Sequence, residues 1–238
     1  MKLDILAIGV HPDDVELSCS GTILKHIAQG KKVGILDLTQ GELGSRGNAA
    51  LRLQEAAKAA EIQGVAIREN LGFADGFFEN NPAHQIELIK IIRKYQPDVV
   101  LANAVSDRHP DHGRASELIS ESCFYSGLVK IETELDGQVQ EKWRPKAVYH
   151  YIQDRYIKPD FVVDVTPYAG TKMKAILAFS SQFYDPDSTA PETPISGKDF
   201  LHVVEAKMAI LGREIGVKYA EGFTVERIPG VEDLTTLL

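Results

Sequence analysis

The sequence predicts an α/β fold built on a mostly parallel sheet. Short runs rich in Val, Ile and Leu alternate with longer segments that are apolar along one helical face, the pattern of buried parallel strands joined by crossover helices. Glycine or proline punctuates the changes, as at Gly30, Gly64 and Pro97, where helices stop. At 238 residues and 44% hydrophobic content, the chain is long enough to bury one sizeable core, and a single domain over residues 1–238 is expected.

The elements follow in order. Leu3 to Gly9 is a short apolar run, a buried strand entering a turn. Val15 to Gln29 carries Leu17, Ile23, Leu24 and Ile27 on one helical face. Lys32 to Thr39 is a second strand, and the glycine-rich residues 40–47 form a loop at its carboxyl end. Asn48 caps a helix that runs to Gln63 and closes at Gly64. Val65 to Arg68 makes a third strand, residues 70–82 are irregular, and Ala83 to Tyr95 is helical. Asp98 to Ala102 is a fourth strand, followed by a helix from Gly113 to Tyr125. Residues 131–144 hold Glu132, Glu134, Asp136 and Glu141 and read as a solvated insertion. Ala147 to Ile152 and Phe161 to Val165 are strands, and Pro167 opens a helix to Ser181. A proline-rich loop over 184–197 is of the kind that covers sites. A last helix spans Lys198 to Ile215, and the tail to Leu238 has no strong pattern. With right-handed crossovers, these elements give a Rossmann-like three-layer fold of strand order 3-2-1-4-5 plus additional strands.

Composition narrows the function. A net charge of −8 and an isoelectric point near 5.4 argue against nucleic acid as a partner, because phosphate backbones are bound by clustered Lys and Arg. Cys19 and Cys123 lie in separate helical segments, as reduced thiols of a cytoplasmic protein do. Nothing resembles a signal peptide or reaches membrane-spanning length, so no membrane role is expected.

Two motifs carry chemistry. The first, Gly9-Val10-His11-Pro12-Asp13-Asp14-Val15-Glu16, follows the first strand; the second, Asp107-Arg108-His109-Pro110-Asp111-His112, follows the fourth. Asp13 and Glu16 could simply cap a helix, and His109 and His112 could be surface loop residues. In the predicted order, however, strands one and four are neighbours flanking the topological switch point, where ligands bind at strand carboxyl ends. Two imidazoles and a carboxylate leave a metal position open, the arrangement of catalytic zinc sites, although the same donors serve Fe2+. A spare aspartate and a spare histidine remain for proton transfer. Spacing alone leaves open which of Asp13 and Asp14 is the ligand. A non-catalytic metal- or nucleotide-binding module on the same sheet is the rival from another class. The turn after the first strand lacks Gly-x-Gly-x-x-Gly and carries carboxylates that would repel a pyrophosphate.

At these residues the chain resembles the LmbE-like, or PIG-L, family of metal-dependent N-deacetylases, through His-Pro-Asp-Asp-x-Glu at 11–16 and His-Pro-Asp-His at 109–112. It is most similar to bacillithiol biosynthesis deacetylases through Gly-Glu-Leu-Gly-Ser-Arg-Gly at 41–47, Arg52 with Glu55, and Leu-Gly-Phe-Ala-Asp-Gly at 71–76. The resemblance implies that His11, Asp14 and His112 hold Zn2+, that Asp13 is the general base, and that His109 assists at the oxyanion or leaving group. It implies removal of acetyl from a small N-acetylated amino sugar conjugate, N-acetylglucosaminyl-malate first and a chitooligosaccharide as the alternative. It also implies a homo-oligomer, hexamers being frequent among relatives. Arg52, Arg108 and Arg46 are candidates for gripping an anionic part of the substrate, since guanidinium groups bind carboxylates bidentately.

Overall fold

The computed structural model describes residues 1–237. Its main sheet contains β1 (Ile5–Gly9), β2 (Val33–Thr39), β3 (Ile67–Phe73), β4 (Val99–Ala102), β7 (Ala147–Tyr151), β8 (Phe161–Asp164) and β9 (Ala220–Val225). A separate hairpin pairs β5 (Glu134–Leu135) with β6 (Gln138–Val139). The sheet order is β3-β2-β1-β4-β7-β9-β8. Its first five strands are parallel and match the expected 3-2-1-4-5, with Ala147–Tyr151 as the fifth. Helices α1 (Asp14–Ala28), α2 (Ala49–Gln63), α3 (Pro82–Tyr95), α4 (Pro110–Tyr125), α5 (Ala169–Leu177) and α6 (Phe200–Glu214) complete the layers.

Alternation along β1 sends its side chains to two cores. Leu6 and Ile8 join Leu36, Val100 and the α3 and α4 residues Leu88, Ile92, Leu118 and Ile119. Ile5 and Ala7 face the other way, onto Val15, Cys19 and Ile23 of α1. A sheet apolar on both faces explains the continuous runs in the sequence.

Three expectations need correction. The tail supplies β9, which pairs antiparallel with both β7 and β8; its Glu221 and Gly222 disguise the strand, since both types are depleted in sheets. The third strand continues to Phe73 where irregular chain was expected. It is the edge strand, half-buried, and so shows no apolar run. The fourth helix begins at Pro110 rather than Gly113, with His109 as its N-cap, because proline suits the first helical position. That places Asp111 and His112 in the first helical turn. In the 131–144 insertion the hairpin is exposed, but Thr133 is buried beneath it and accepts from Arg93 Nη1 at 2.8 Å. No described helix is long and apolar enough to cross a membrane.

Candidate active site

The turn between β1 and α1 is tight. A Cβ at Gly9 would lie 3.1 Å from the Asp14 Cβ, so the chain closes directly onto the first carboxylates. Asp14 Oδ2 accepts the backbone N–H groups of Val10 at 3.0 Å and His11 at 3.1 Å, and the side-chain amide of Asn103 at 3.0 Å. Three donors on one oxygen fix the carboxylate and leave Oδ1 facing His112 Nε2 at 3.2 Å. Asp13 points elsewhere. It occupies the N-cap position without capping, at φ 135°, a conformation that costs a non-glycine residue energy. Its Oδ2 meets Arg52 Nη2 at 2.8 Å.

The two imidazoles beside Asp14 are held alike. His11 presents Nδ1 to Asp14 Oδ2 at 3.8 Å, while its Nε2 meets Asp75 Oδ1 at 2.9 Å. His112 presents Nε2 to Asp14, while its Nδ1 meets Asp107 Oδ2 at 2.5 Å. A carboxylate behind each ring fixes which nitrogen keeps its proton once the inward nitrogen gives up its own to a cation, as in metal sites. His109 packs edge-on to His11, centroids 4.8 Å apart, and stacks on His112 at 5.2 Å. The donor set suits a zinc- or iron-like divalent cation. Among the described residues, His11 with His109 and His112, and His11 with Asp75 and Asp111, bring possible ligand atoms all within 4.8 Å of one another, whereas Asp14 meets His112 at 3.2 Å and His11 at 3.8 Å through different oxygens. Asp14 is favoured over His109 because His109 Nδ1 already accepts the Asp111 backbone N–H at 3.3 Å.

Residues 6–123, which span both motifs, match the PIG-L family model, described as GlcNAc-PI de-N-acetylase. A solved structure of a conserved Thermus thermophilus protein is 35% identical, with a TM-score of 0.85, covering 97% of this chain and 98% of that one. The chain belongs to the PIG-L family. Within it, a diacetylchitobiose deacetylase of Thermococcus kodakarensis is 28% identical over 95% of this chain and 84% of its own length. A probable N-acetyl-alpha-D-glucosaminyl L-malate deacetylase of Bacillus anthracis is 25% identical over 75% and 81%.

In this PIG-L chain the electrostatics separate the two adjacent aspartates. Burial would raise Asp14, but the charges on His112 and His11 and the hydrogen bonds from both hold it far below the usual carboxylate range. Burial pushes Asp13 up to about 6, against the pull of Arg52. Burial disfavours the charged form of His11, yet Asp111, Asp75 and Asp14 together raise it to about 10. His112 is likewise raised to about 9, burial being outweighed by Asp14 and Asp107. His109 is lowered by burial and by the charges on His11 and His112.

The arginines divide. Arg52 is buried, with Nη2 on Asp13 and on the Pro12 carbonyl at 2.5 Å, and Nη1 on Gln182 Oε1 at 3.0 Å. Glu55, the other member of the quoted Arg52–Glu55 pair, accepts from Ser180 and Ser181. Arg46 donates to the carbonyls of Ser181, Phe183 and Pro191 and to the Ser188 hydroxyl, pinning the chain after α5. All three of its guanidinium nitrogens are engaged there, and Arg46 does not line the cavity that Arg52 and Arg108 border. Arg108 remains partly exposed on the cavity wall, 2.8 Å from Asp154. Lys207 of α6 shares that carboxylate at 3.2 Å. These residues border a cavity of about 630 Å³ that runs from His11 and Asp13 to Phe200, Val204 and Met208 of α6 and to Glu221 of β9. Glu16 neither caps the helix nor touches His11, Asp14 or His112. It is fully buried and pairs with Arg68 at 2.6 Å. Sequence reasoning missed Asp75, Asn103, Gln153 and Lys207. Asp75 stood inside the quoted Ala-Asp-Gly segment, whereas Gln153 and Lys207 belong to no recognisable pattern.

Proposed function

We propose that this chain is a metal-dependent N-deacetylase acting on small N-acetylglucosamine conjugates. The observation that carries the reading is the division of labour in the first motif: Asp14 lies between two carboxylate-anchored imidazoles, while Asp13 beside it faces Arg52. His11, Asp14 and His112 would hold the cation, which supplies an acidified water and polarises the amide carbonyl. Asp13 Oδ2 takes the proton from the attacking water; titrating near neutrality, it can both accept and return it. His109 Nδ1 accepts a backbone N–H, so the neutral ring carries its proton on Nε2. That N–H donates a hydrogen bond to the developing oxyanion or to the leaving nitrogen, the proton taken by Asp13 passes to that nitrogen, and cleavage of the amide C–N bond yields acetate and a free amine.

Within that class we favour N-acetylglucosaminyl-malate. Arg108 and Lys207 share one carboxylate, Asp154, at the cavity wall, leaving a local excess of positive charge for a malyl group, and the B. anthracis relative carries that substrate in its name. A second reading, a neutral diacetylchitobiose-like substrate, is supported by the engagement of Arg46 outside the cavity, by the pairing of Arg52 with Asp13, and by the T. kodakarensis relative. Acetate release from N-acetylglucosaminyl-malate, diacetylchitobiose and free N-acetylglucosamine, before and after chelation, tests both. Loss of all release on chelation is expected; release unaffected by chelation would sink the metal reading.

A further inference from the structure

One polar side chain at the centre of the site has no part in the steps above. Gln153 follows β7, lines the cavity and is only 9% exposed. The two ends of its amide are told apart by their partners. Oε1 accepts the Ala104 backbone N–H at 3.0 Å and the Asn103 Nδ2–H at 3.1 Å. A backbone N–H can only donate, and Asn103 Nδ2 is itself fixed as a donor by the Asp14 carboxylate at 3.0 Å. The Gln153 oxygen must therefore face Ala104, and its NH2 group is presented at the opposite end. There it lies 3.4 Å from His112 Nε2, the same nitrogen that faces Asp14. A neutral N–H donor is thus aimed at the point where His112 and Asp14 converge, among side chains that are themselves buried.

We infer that Gln153 is a catalytic residue, donating its Nε2–H to the acyl oxygen of the substrate as that oxygen takes on negative charge. Asn103 is its positioning residue: one amide nitrogen bridges Asp14 and Gln153, so the acid side of the site and the donor move as one unit. The inference rests on the deacetylase reading. No proton leaves Gln153 at any stage, because a side-chain amide does not titrate; its contribution is a donor fixed in advance where charge develops. It acts alongside the Nε2–H of His109, a second neutral donor on the same side of the site.

Gln153→Met keeps the length of the side chain and removes the donor. The expected result is a fall in kcat of about 10²-fold with KM little changed. Zinc affinity, measured by competition with a chelator, should stay at the wild-type value. Affinity of the zinc-loaded protein for a glucosamine methylphosphonamidate, whose tetrahedral anion copies the charged oxygen, should fall by a similar factor. Gln153→Glu should be no better than Gln153→Met, since it sets a second acceptor where the N–H was; rescue by Glu would mean a packing role. Wild-type kcat in Gln153→Met, or a loss confined to zinc affinity, overturns the inference. Should the wild-type protein release acetate from no N-acetylglucosamine conjugate, the deacetylase reading fails instead.

Discussion

At the carboxyl ends of β1, β3 and β4, Asp14, Asp75, Asp107 and Asp111 crowd around three imidazoles with Asp13 beside them on Arg52, and their oxygens reach backbone N–H groups, Arg52 and Arg114. At the start of β9, on the far wall of the same cavity, one carboxylate meets one ammonium. Glu221 accepts Lys172 Nζ at 2.6 Å and the backbone N–H groups of Gly21 and Thr22 at 2.9 and 2.7 Å, and Lys172 also donates to the Leu17 carbonyl. The first cluster concentrates anionic charge and holds imidazoles with a nitrogen turned inward, a state that a divalent cation completes. The second is electrically closed, and it ties β9 to α1. Acidic clusters built for ligation and buried pairs built for locking are distinguished by whether the local charge is already compensated.

Four experiments break or sharpen that contrast. Asp13→Asn should lower deacetylation by about 10² to 10⁴-fold with bound metal retained, because Asp13 faces Arg52 and not the imidazoles; full activity would remove Asp13 as the base. Lys172→Met, on the closed side, leaves Glu221 buried without its cation. It should cost roughly 3–5 kcal/mol in chemical denaturation, with chelator-measured metal affinity unchanged. A variant that loses metal without losing stability would reverse the roles of the two walls.

The third test uses pH. His11 titrates at about 10 and His112 at about 9 in the metal-free protein, so both carry protons at neutral pH and a cation must displace them. Metal affinity should therefore rise with pH up to about 10, where the second of the two rings has lost its proton. Calorimetry at pH 7 in buffers of different ionisation enthalpy should record release of about two protons per metal; no release would mean the rings are neutral beforehand. The smallest effect belongs to the cavity wall. Arg108→Ala should reduce kcat/KM roughly tenfold on N-acetylglucosaminyl-malate and leave diacetylchitobiose untouched. Equal losses on both would remove the anionic-group role.

The parallel half was legible because each of its signals is local. Apolar runs such as Ile5 to Gly9 are buried on both faces, and histidine motifs stand directly after the strands that present them. Topology then supplied the meeting of His11 with His112, about a hundred residues apart. What stayed hidden depends on cross-chain partners. β9 is a strand because β7 and β8 flank it, and Glu221 is tolerated there only because Lys172 arrives from α5. Gln153 and Asn103 are ordinary amides until the fold sets them against Asp14. Arg46 and Arg52 looked free in the sequence, whereas the segment at 181–191 and Asp13 take their donors.

The backbone at Asp13 has a consequence for how this site could be engineered. A residue held at φ 135° spends conformational energy on the order of 1–3 kcal/mol, and glycine alone would adopt that angle without strain. Asp13→Gly would relieve that strain but leave the buried Arg52 guanidinium without the carboxylate that meets it at 2.8 Å, a loss of roughly 3–5 kcal/mol that outweighs the relief, so the variant should melt lower as well as lose turnover. The strained turn and the ion pair are thus one unit, and a stabilisation campaign on this protein gains nothing at Asp13 unless Arg52 is replaced with it.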